Sequence, residues 1–157
     1  MRRLPGTPHH SRRHRESGVA LVEFALVLPL LLLVILGIFD FGRAFNYFND
    51  MQQMANEGAR FAVVNQRPGG GSSLQDDIRQ QASTAELLNG STSVTQPAKV
   101  CISFPNGATV GNPVTATVTA KYNWMPFLGL SITSTTISAS ATMRLERVPS
   151  VYSAGCA

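Results

Sequence analysis

The sequence predicts an α+β protein with one long N-terminal helix, a second short helix and a small antiparallel sheet. Residues 19–39 are almost entirely apolar, and apolar residues then recur every three or four positions up to about residue 65, which indicates one long helix. From residue 99 onward apolar and polar side chains alternate instead, which is typical of strands with one buried face. The 157 residues give room for one membrane helix and one small domain.

The apolar segment 19–39 is long enough to cross a membrane. At about 1.5 Å per residue it reaches about 32 Å, whereas a bilayer core measures about 30 Å. It is longer than the apolar region of a secretory signal, and neither a small-x-small site nor a closely following cysteine comes after it. Two interpretations remain open, an uncleaved anchor and a leader that is cut on the cytoplasmic side after Gly18.

The net positive charge lies entirely in front of this segment. Residues 1–18 hold five arginines and one acidic residue, and the rest of the chain holds eight basic and eight acidic residues. The leader should therefore stay in the cytoplasm, and everything after about Asp40 should be exported. Because a nucleic-acid-binding surface would spread over a folded face, we expect no nucleic-acid partner. We expect the leader to be disordered before processing.

Glu23 is the only charged residue between Ser17 and Phe39. A carboxylate at the centre of a membrane helix costs about 2.5–3.5 kcal/mol, and less near an end, so it needs a compensating partner. Cleavage after Gly18 would expose the amine of Val19, and such an amine on a neighbouring chain could pair with Glu23 and set the offset between subunits. Alternatively, Glu23 reaches back to the lipid headgroups.

Beyond the apolar segment the helix is predicted to continue, with an apolar face that packs on the domain. Pro29 should bend this helix, and the Gly-rich linker 67–73 should end it. The predicted apolar face comprises Phe41, Phe45, Phe48, Met51, Ala55, Ala59 and Ala62. We divide the chain into a basic leader (1–18), a transmembrane segment (19–39), its amphipathic continuation (40–66) and an extracytoplasmic α+β domain (72–157).

The exported domain is predicted to begin with a helix over 74–88. Ser72 or Ser73 can cap its N-terminus, and Asn89–Gly90 is a plausible stop. A short strand is predicted at Lys99–Phe104, followed by a turn at Pro105–Gly107.

Two longer strands are predicted to follow. The first covers 114–124 with its even-numbered residues inward, and residues 125–130 break it. The second covers 132–146 with its odd-numbered residues from Ile137 inward. Because Ile132 has the opposite parity, we expect a bulge near Ser134–Thr136.

The two cysteines, Cys101 and Cys156, both fall in the exported part, where a disulfide can persist. One intramolecular pairing is possible, and it would tie the C-terminal tail to the first strand. Free or intermolecular thiols remain the alternative.

The sequence contains no pattern that indicates an enzyme, a metal site or a cofactor. His9, His10 and His14 lie in the leader, and no cysteine or acidic ligand set accompanies them. No CxxC, HExxH or phosphate-binding loop with its lysine is present.

The N-terminal third of the chain resembles the TadE-like pseudopilins of the tight-adherence (Flp) pilus system. The matching residues are Gly18, Glu23, Phe24, Ala25, Pro29, Gly37 and the polar exit at Asp40–Arg43, and residues 46–64 and 136–146 are also similar. The resemblance implies a pilin-like fold and a single-pass protein of the bacterial inner membrane, processed by a prepilin peptidase. Gly18 and Val19 would flank the cut.

The resemblance further implies that Glu23, beside Phe24, is the assembly glutamate. Phe24 stands where pilins of this branch often have tyrosine. The implied partners are other pilin or pseudopilin subunits and inner-membrane pilus assembly proteins, and the implied role is pilus assembly or export, with functions in cell adhesion and secretion. The alternative function is an unprocessed membrane anchor that displays an extracytoplasmic binding module.

Overall fold

The computed structural model of the chain describes residues 13–124 and 133–157, with side chains from residue 18 onward. The described chain divides into two compact units, one that ends at Ile38 and one that covers Phe39–Ala157. Helices and a small antiparallel sheet make it an α+β protein, as predicted. The predicted strand break at 125–130 lies outside the described residues.

The first element is one continuous helix, α1, which covers Arg13–Val63 and has Pro29 in its interior. The predicted long helix is therefore confirmed. It begins six residues before Val19, so the prediction of disorder is wrong for the end of the leader. No proline or glycine lies between Arg13 and Ser17, and extending a helix that is already formed is far easier than starting one.

The buried face of α1 differs in part from the predicted one. The aromatic half of the predicted stripe is wrong, because Phe41, Phe45 and Phe48 are 64%, 56% and 37% exposed. The helix is rotated so that Asp40 and Tyr47 are buried instead. The buried α1 residues that pack on the domain are Asp40, Ala44, Tyr47, Asp50, Met51, Met54, Ala55, Gly58, Ala59, Ala62 and Val63.

Two short helices replace the single helix predicted for 74–88. Helix α2 covers Leu74–Arg79, and helix α3 covers Ala85–Asn89. The Ser73 cap is confirmed, because its Oγ accepts a hydrogen bond of 3.2 Å from the amide of Asp76. The stop at Gly90 is also confirmed, with a φ of 81° that favours glycine.

The sheet has four antiparallel strands in the order β3-β2-β1-β4. Their bounds are β1 Lys99–Ser103, β2 Pro113–Asn123, β3 Ser134–Arg144 and β4 Gly155–Cys156. Strand β3 pairs with β2 without interruption, from Arg144 opposite Pro113 to Ser134 opposite Asn123. The predicted bulge at 134–136 is therefore wrong, because the inward parity of Ile137 continues to the start of β3. Ile132 lies outside the described residues.

The inner face of the sheet supplies most of the core of the domain. The predicted inward parity of both long strands is confirmed: Val114, Ala116, Val118, Ala120 and Tyr122 on β2, and Ala139 and Ala141 on β3, are buried. Gly58 lets α1 pack directly against α2, since a Cβ there would lie 2.7 Å from Ile78 Cδ1 of α2. A side chain at position 58 would have to displace Ile78.

Candidate functional site

The predicted processing and assembly residues lie close together at the N-terminal end of α1. Val19 and Phe24 are 61% and 59% exposed, and a Cβ built on Gly18 would meet nothing within 4 Å. Glu23 follows Val19 by four residues, so the two lie on one face of the helix, about one turn apart. The structure therefore leaves the Gly18–Val19 bond unshielded by described parts of the chain.

Glu23 is exposed, and none of the ion pairs formed among the described residues involves it. Its surroundings on α1 are apolar side chains that are also exposed. An isolated carboxylate among apolar neighbours is tolerated in a membrane only with a partner or near its edge. Any ionic partner of Glu23 must therefore come from outside the described part of the chain.

Among the described residues, one helix is long and apolar enough to cross a membrane. It is the Gly18–Val63 part of α1, and none of its most apolar window is buried within the chain. By length and composition, this segment is suited to contact lipid or other apolar helices.

A buried polar contact stands at the start of the second unit, where α1 meets the sheet. The hydroxyl of Tyr122 donates to Asp40 Oδ1 at 2.6 Å and to the Asp40 carbonyl oxygen at 3.2 Å. Burial, followed by the hydrogen bond to Asp40, raises the pKa of Tyr122, so the phenol stays protonated and remains a donor. This contact fixes which face of α1 turns toward the sheet.

Asp50 links α1 to the segment between α2 and α3. Its carboxylate accepts hydrogen bonds from the amides of Ser83 and Thr84, at 3.1 and 2.9 Å, and from the Thr84 hydroxyl at 2.8 Å. Thr84 is the N-cap of α3 but forms no cap bond with its own side chain. Asp50 therefore supplies the cap from α1, and this explains why one helix over 74–88 does not form.

We expect Asp50→Ala to lower the free energy of unfolding by about 1–3 kcal/mol, because two amides and a hydroxyl lose their acceptor in a partly buried place. Asn49→Ala is the control: it changes an exposed neighbour on α1 and should shift the free energy of unfolding by less than about 0.5 kcal/mol. Urea unfolding of the detergent-solubilised full chain, followed by the fluorescence of the single tryptophan, Trp124, measures both. Equal midpoints for the two variants would show that Asp50 does not hold α3.

The structure brings Cys101 and Cys156 together as a disulfide, with an S–S distance of 2.00 Å, across the β1–β4 pair. The side-chain amide of Gln75 also donates to the Ser153 and Gly155 carbonyl oxygens, at 3.1 and 3.2 Å. These contacts hold the C-terminal tail, which includes Ser153, Gly155 and Cys156, against β1 and α2.

Tyr152 fastens the tail to α1. Its hydroxyl donates to the carbonyl oxygen of Ala62 at 2.7 Å, and burial raises the pKa of Tyr152 to about 12. The hydroxyl is therefore protonated at neutral pH and keeps its role as donor.

Sequence reasoning missed Asp40 and Asp50, neither of which belongs to the apolar face predicted for α1. One signal was available for Asp40. Tyr122 has inward parity on β2, and a buried tyrosine hydroxyl usually requires a partner. No comparable signal exists for Asp50, whose partners lie 33 and 34 residues away in the sequence. The described residues contain no group of three His, Cys, Asp or Glu that could hold a metal ion.

An α+β domain carried on one apolar, membrane-length helix defines the class of membrane-anchored proteins with a single N-terminal helix. Residues 18–60 match the family model described as TadE-like protein. The resemblance is thus confirmed for this segment, which begins at Gly18 and covers most of α1. The match relates residues 18–60 to a family of Tad pilus-related proteins. No curated relative and no solved structure matches the chain.

Proposed function

We propose that the chain is a minor pilin or pseudopilin of a Tad pilus, and that a prepilin peptidase removes its leader between Gly18 and Val19. The observation that carries the proposal is the family match, which begins at Gly18 and includes Glu23 and Phe24. The exposed, apolar start of α1 supports it, because a peptidase and neighbouring subunits can reach this segment.

The proposed orientation places the leader in the cytoplasm and the domain outside the bacterial inner membrane, at the cell surface or in association with a pilus. The five arginines of the leader support this orientation. The Cys101–Cys156 disulfide supports it independently, because such bonds persist in oxidising compartments.

In the proposed assembly step, the Glu23 carboxylate pairs with the Val19 amine of an adjacent subunit. Glu23 is exposed on its own chain and stands among exposed apolar side chains. When helices associate in lipid, the pair compensates both charges and fixes the axial offset of the two subunits. Other pilin or pseudopilin subunits and inner-membrane assembly proteins are the proposed partners.

The mass of the protein extracted from membranes of the cells that produce it tests the proposed processing. We expect a mature form that begins at Val19, and we expect Gly18→Leu to retain Met1. Gly37→Leu is the matched control, because Gly37 is another α1 glycine with no neighbour within 4 Å of a built Cβ. It should be processed normally. A native protein that keeps Met1 and still functions would favour the unprocessed anchor that displays a binding module.

A further inference from the structure

Strand β3 forms an open edge of the sheet. It pairs with β2 on one side only. At the two ends of this pair, Trp124 N bonds to Thr133 O at 3.0 Å and Leu145 N bonds to Asn112 O at 2.9 Å. Hydrogen-bonded pairs alternate along an antiparallel ladder, so the odd-numbered residues of β3 bond to β2. The even-numbered residues direct their main-chain N–H and C=O groups outward, away from β2. These outward residues are Ser134, Thr136, Ser138, Ser140, Thr142 and Arg144. Among the described residues, their outward main-chain groups have one partner, the Gln52 side-chain amide, 3.5 Å from the Ser140 carbonyl oxygen.

Among the described residues, this edge has little of the usual protection against strand pairing. Strand β3 is 11 residues long, contains no proline, and has one charged residue, Arg144, at its end. The opposite edge of the sheet is β4, which has only two residues and is joined to β1 by the disulfide. Natural proteins normally guard a long edge strand with charges, proline, bulges or a covering element. An unguarded edge of this length is suited to bind another strand.

An exposed row of aromatic side chains on α1 lies beside the same edge. Phe41, Phe45, Phe48 and Gln52 are spaced by four, three and four residues and therefore share one helix face. Gln52 contacts Ser140 at one end of the row. At the other end, the neighbouring Asp40 binds Tyr122, which pairs with Thr135 of β3. Helix α1 and strand β3 thus run in the same direction, with the phenylalanines next to the open edge.

We propose that the outward edge of β3 and the row Phe41–Phe45–Phe48 form a groove that binds an extended strand of a different polypeptide. The incoming backbone would bond to the even-numbered residues of β3 as a fifth strand. Its alternate side chains, apolar and uncharged, would pack on the phenylalanines. This inference deepens the proposed function. It rests on that function at one step, because the comparison with a second copy assumes that both subunits lie in the same membrane.

The direction of α1 argues against pairing between the β3 edges of two copies of this chain. Antiparallel pairing of two β3 edges would point the two α1 helices in opposite directions, whereas subunits inserted from the same side of a membrane have parallel helices. If the two β3 edges paired in parallel, a twofold axis along the strands would relate the two sheets. The second copy would then turn the Ser- and Thr-rich face of its β3 toward the phenylalanine row, where apolar side chains are needed. Lipid tails can cover the phenylalanines but offer no row of main-chain donors and acceptors to match the edge, which a strand does.

Photocrosslinking in the cells that produce the protein tests the groove. A benzophenone-bearing phenylalanine analogue replaces Phe48 in the groove or, as the control, Thr117, whose side chain lies on the open face of the sheet away from the edge. We expect the Phe48 position to give one adduct, whose crosslinked fragment is an uncharged, alternating segment of a different chain. The Thr117 position should give no such adduct.

Two variants show whether the crosslink depends on the groove. Ser138→Pro removes an outward amide that no described residue uses, and Phe45→Lys places a charge in the row; each should lower the adduct yield at least about tenfold. Asn46→Lys, on another face of α1, should leave it unchanged. In the purified complex, the Ser138 amide should also exchange with deuterium more slowly than in the free chain.

Several outcomes would overturn the strand-binding groove. They are an adduct with lipid only, an adduct with a second copy of this chain, no adduct, or an adduct that both groove variants leave unchanged. The mature N-terminus is measured in the same samples. Failure of the groove with a normal Val19 terminus would therefore be distinguishable from failure of the proposed processing.

Discussion

Replacing both Cys101 and Cys156 with serine is expected to lower the free energy of unfolding of the oxidised chain by about 4 kcal/mol, the largest stability change we predict. The bond closes a loop with a sequence separation of 55 residues, and the chain entropy of an open loop of this size corresponds to about 4 kcal/mol. The tail would also lose the constraint that supports its two hydrogen bonds between Val100 and Ala157, each of 2.9 Å.

Urea unfolding of the detergent-solubilised full chain measures the effect of the disulfide. The wild type in reductant is the matched control, and its midpoint should coincide with that of the double serine variant. A single Cys101→Ser variant would show in addition whether Cys156 then forms dimers. Equal thiol labelling of the folded wild type with and without reductant would contradict the bond itself.

The strands could be predicted from the sequence because a strand has a period of two. The alternation along β2 and β3 identifies the buried face directly, and only the parity of Ile132, outside the described residues, was misleading. The period of a helix is less decisive. Both the row with Phe41 and the row with Asp40 recur every three or four residues, and tertiary contacts decide between them. The Tyr122–Asp40 bond makes that decision in the folded domain.

The break between α2 and α3 could not be predicted for a related reason. Residues 74–88 form a reasonable helix by themselves, but Asp50 offers acceptors to the amides of Ser83 and Thr84 from a distant part of the chain. Such long-range capping leaves no local trace.

The processing segment and the groove differ in how far apart their residues lie in the sequence. Gly18, Val19, Glu23 and Phe24 are contiguous, so a sequence alone could indicate the processing segment. The groove instead joins α1 to β3, which are far apart in the chain and adjacent only in the fold. Its aromatic half is visible in the sequence, but the pattern predicts these side chains to be core, because an apolar stripe beside a domain is normally buried.

Glu23→Gln is expected to abolish assembly of the protein with neighbouring subunits while its amount in the membrane stays the same or rises. Removing the charge lowers the cost of insertion, which is at most about 2.5–3.5 kcal/mol. In an assembly, however, the Val19 amine of the neighbour would lose its partner. Leaving one buried charge unpaired costs about 3–5 kcal/mol, which corresponds to a loss of affinity of at least about 100-fold.

Co-purification of two differently tagged copies, or of this chain with its assembly partners, measures the effect in native membranes. Glu57→Gln is the matched control, because Glu57 lies on α1 but inside the second unit. It should assemble normally. Processing should continue in Glu23→Gln, so its mature terminus should still be Val19. If Glu23→Gln assembled like the wild type, the carboxylate would act only by reaching the lipid headgroups, and the offset between subunits would have to come from helix packing alone.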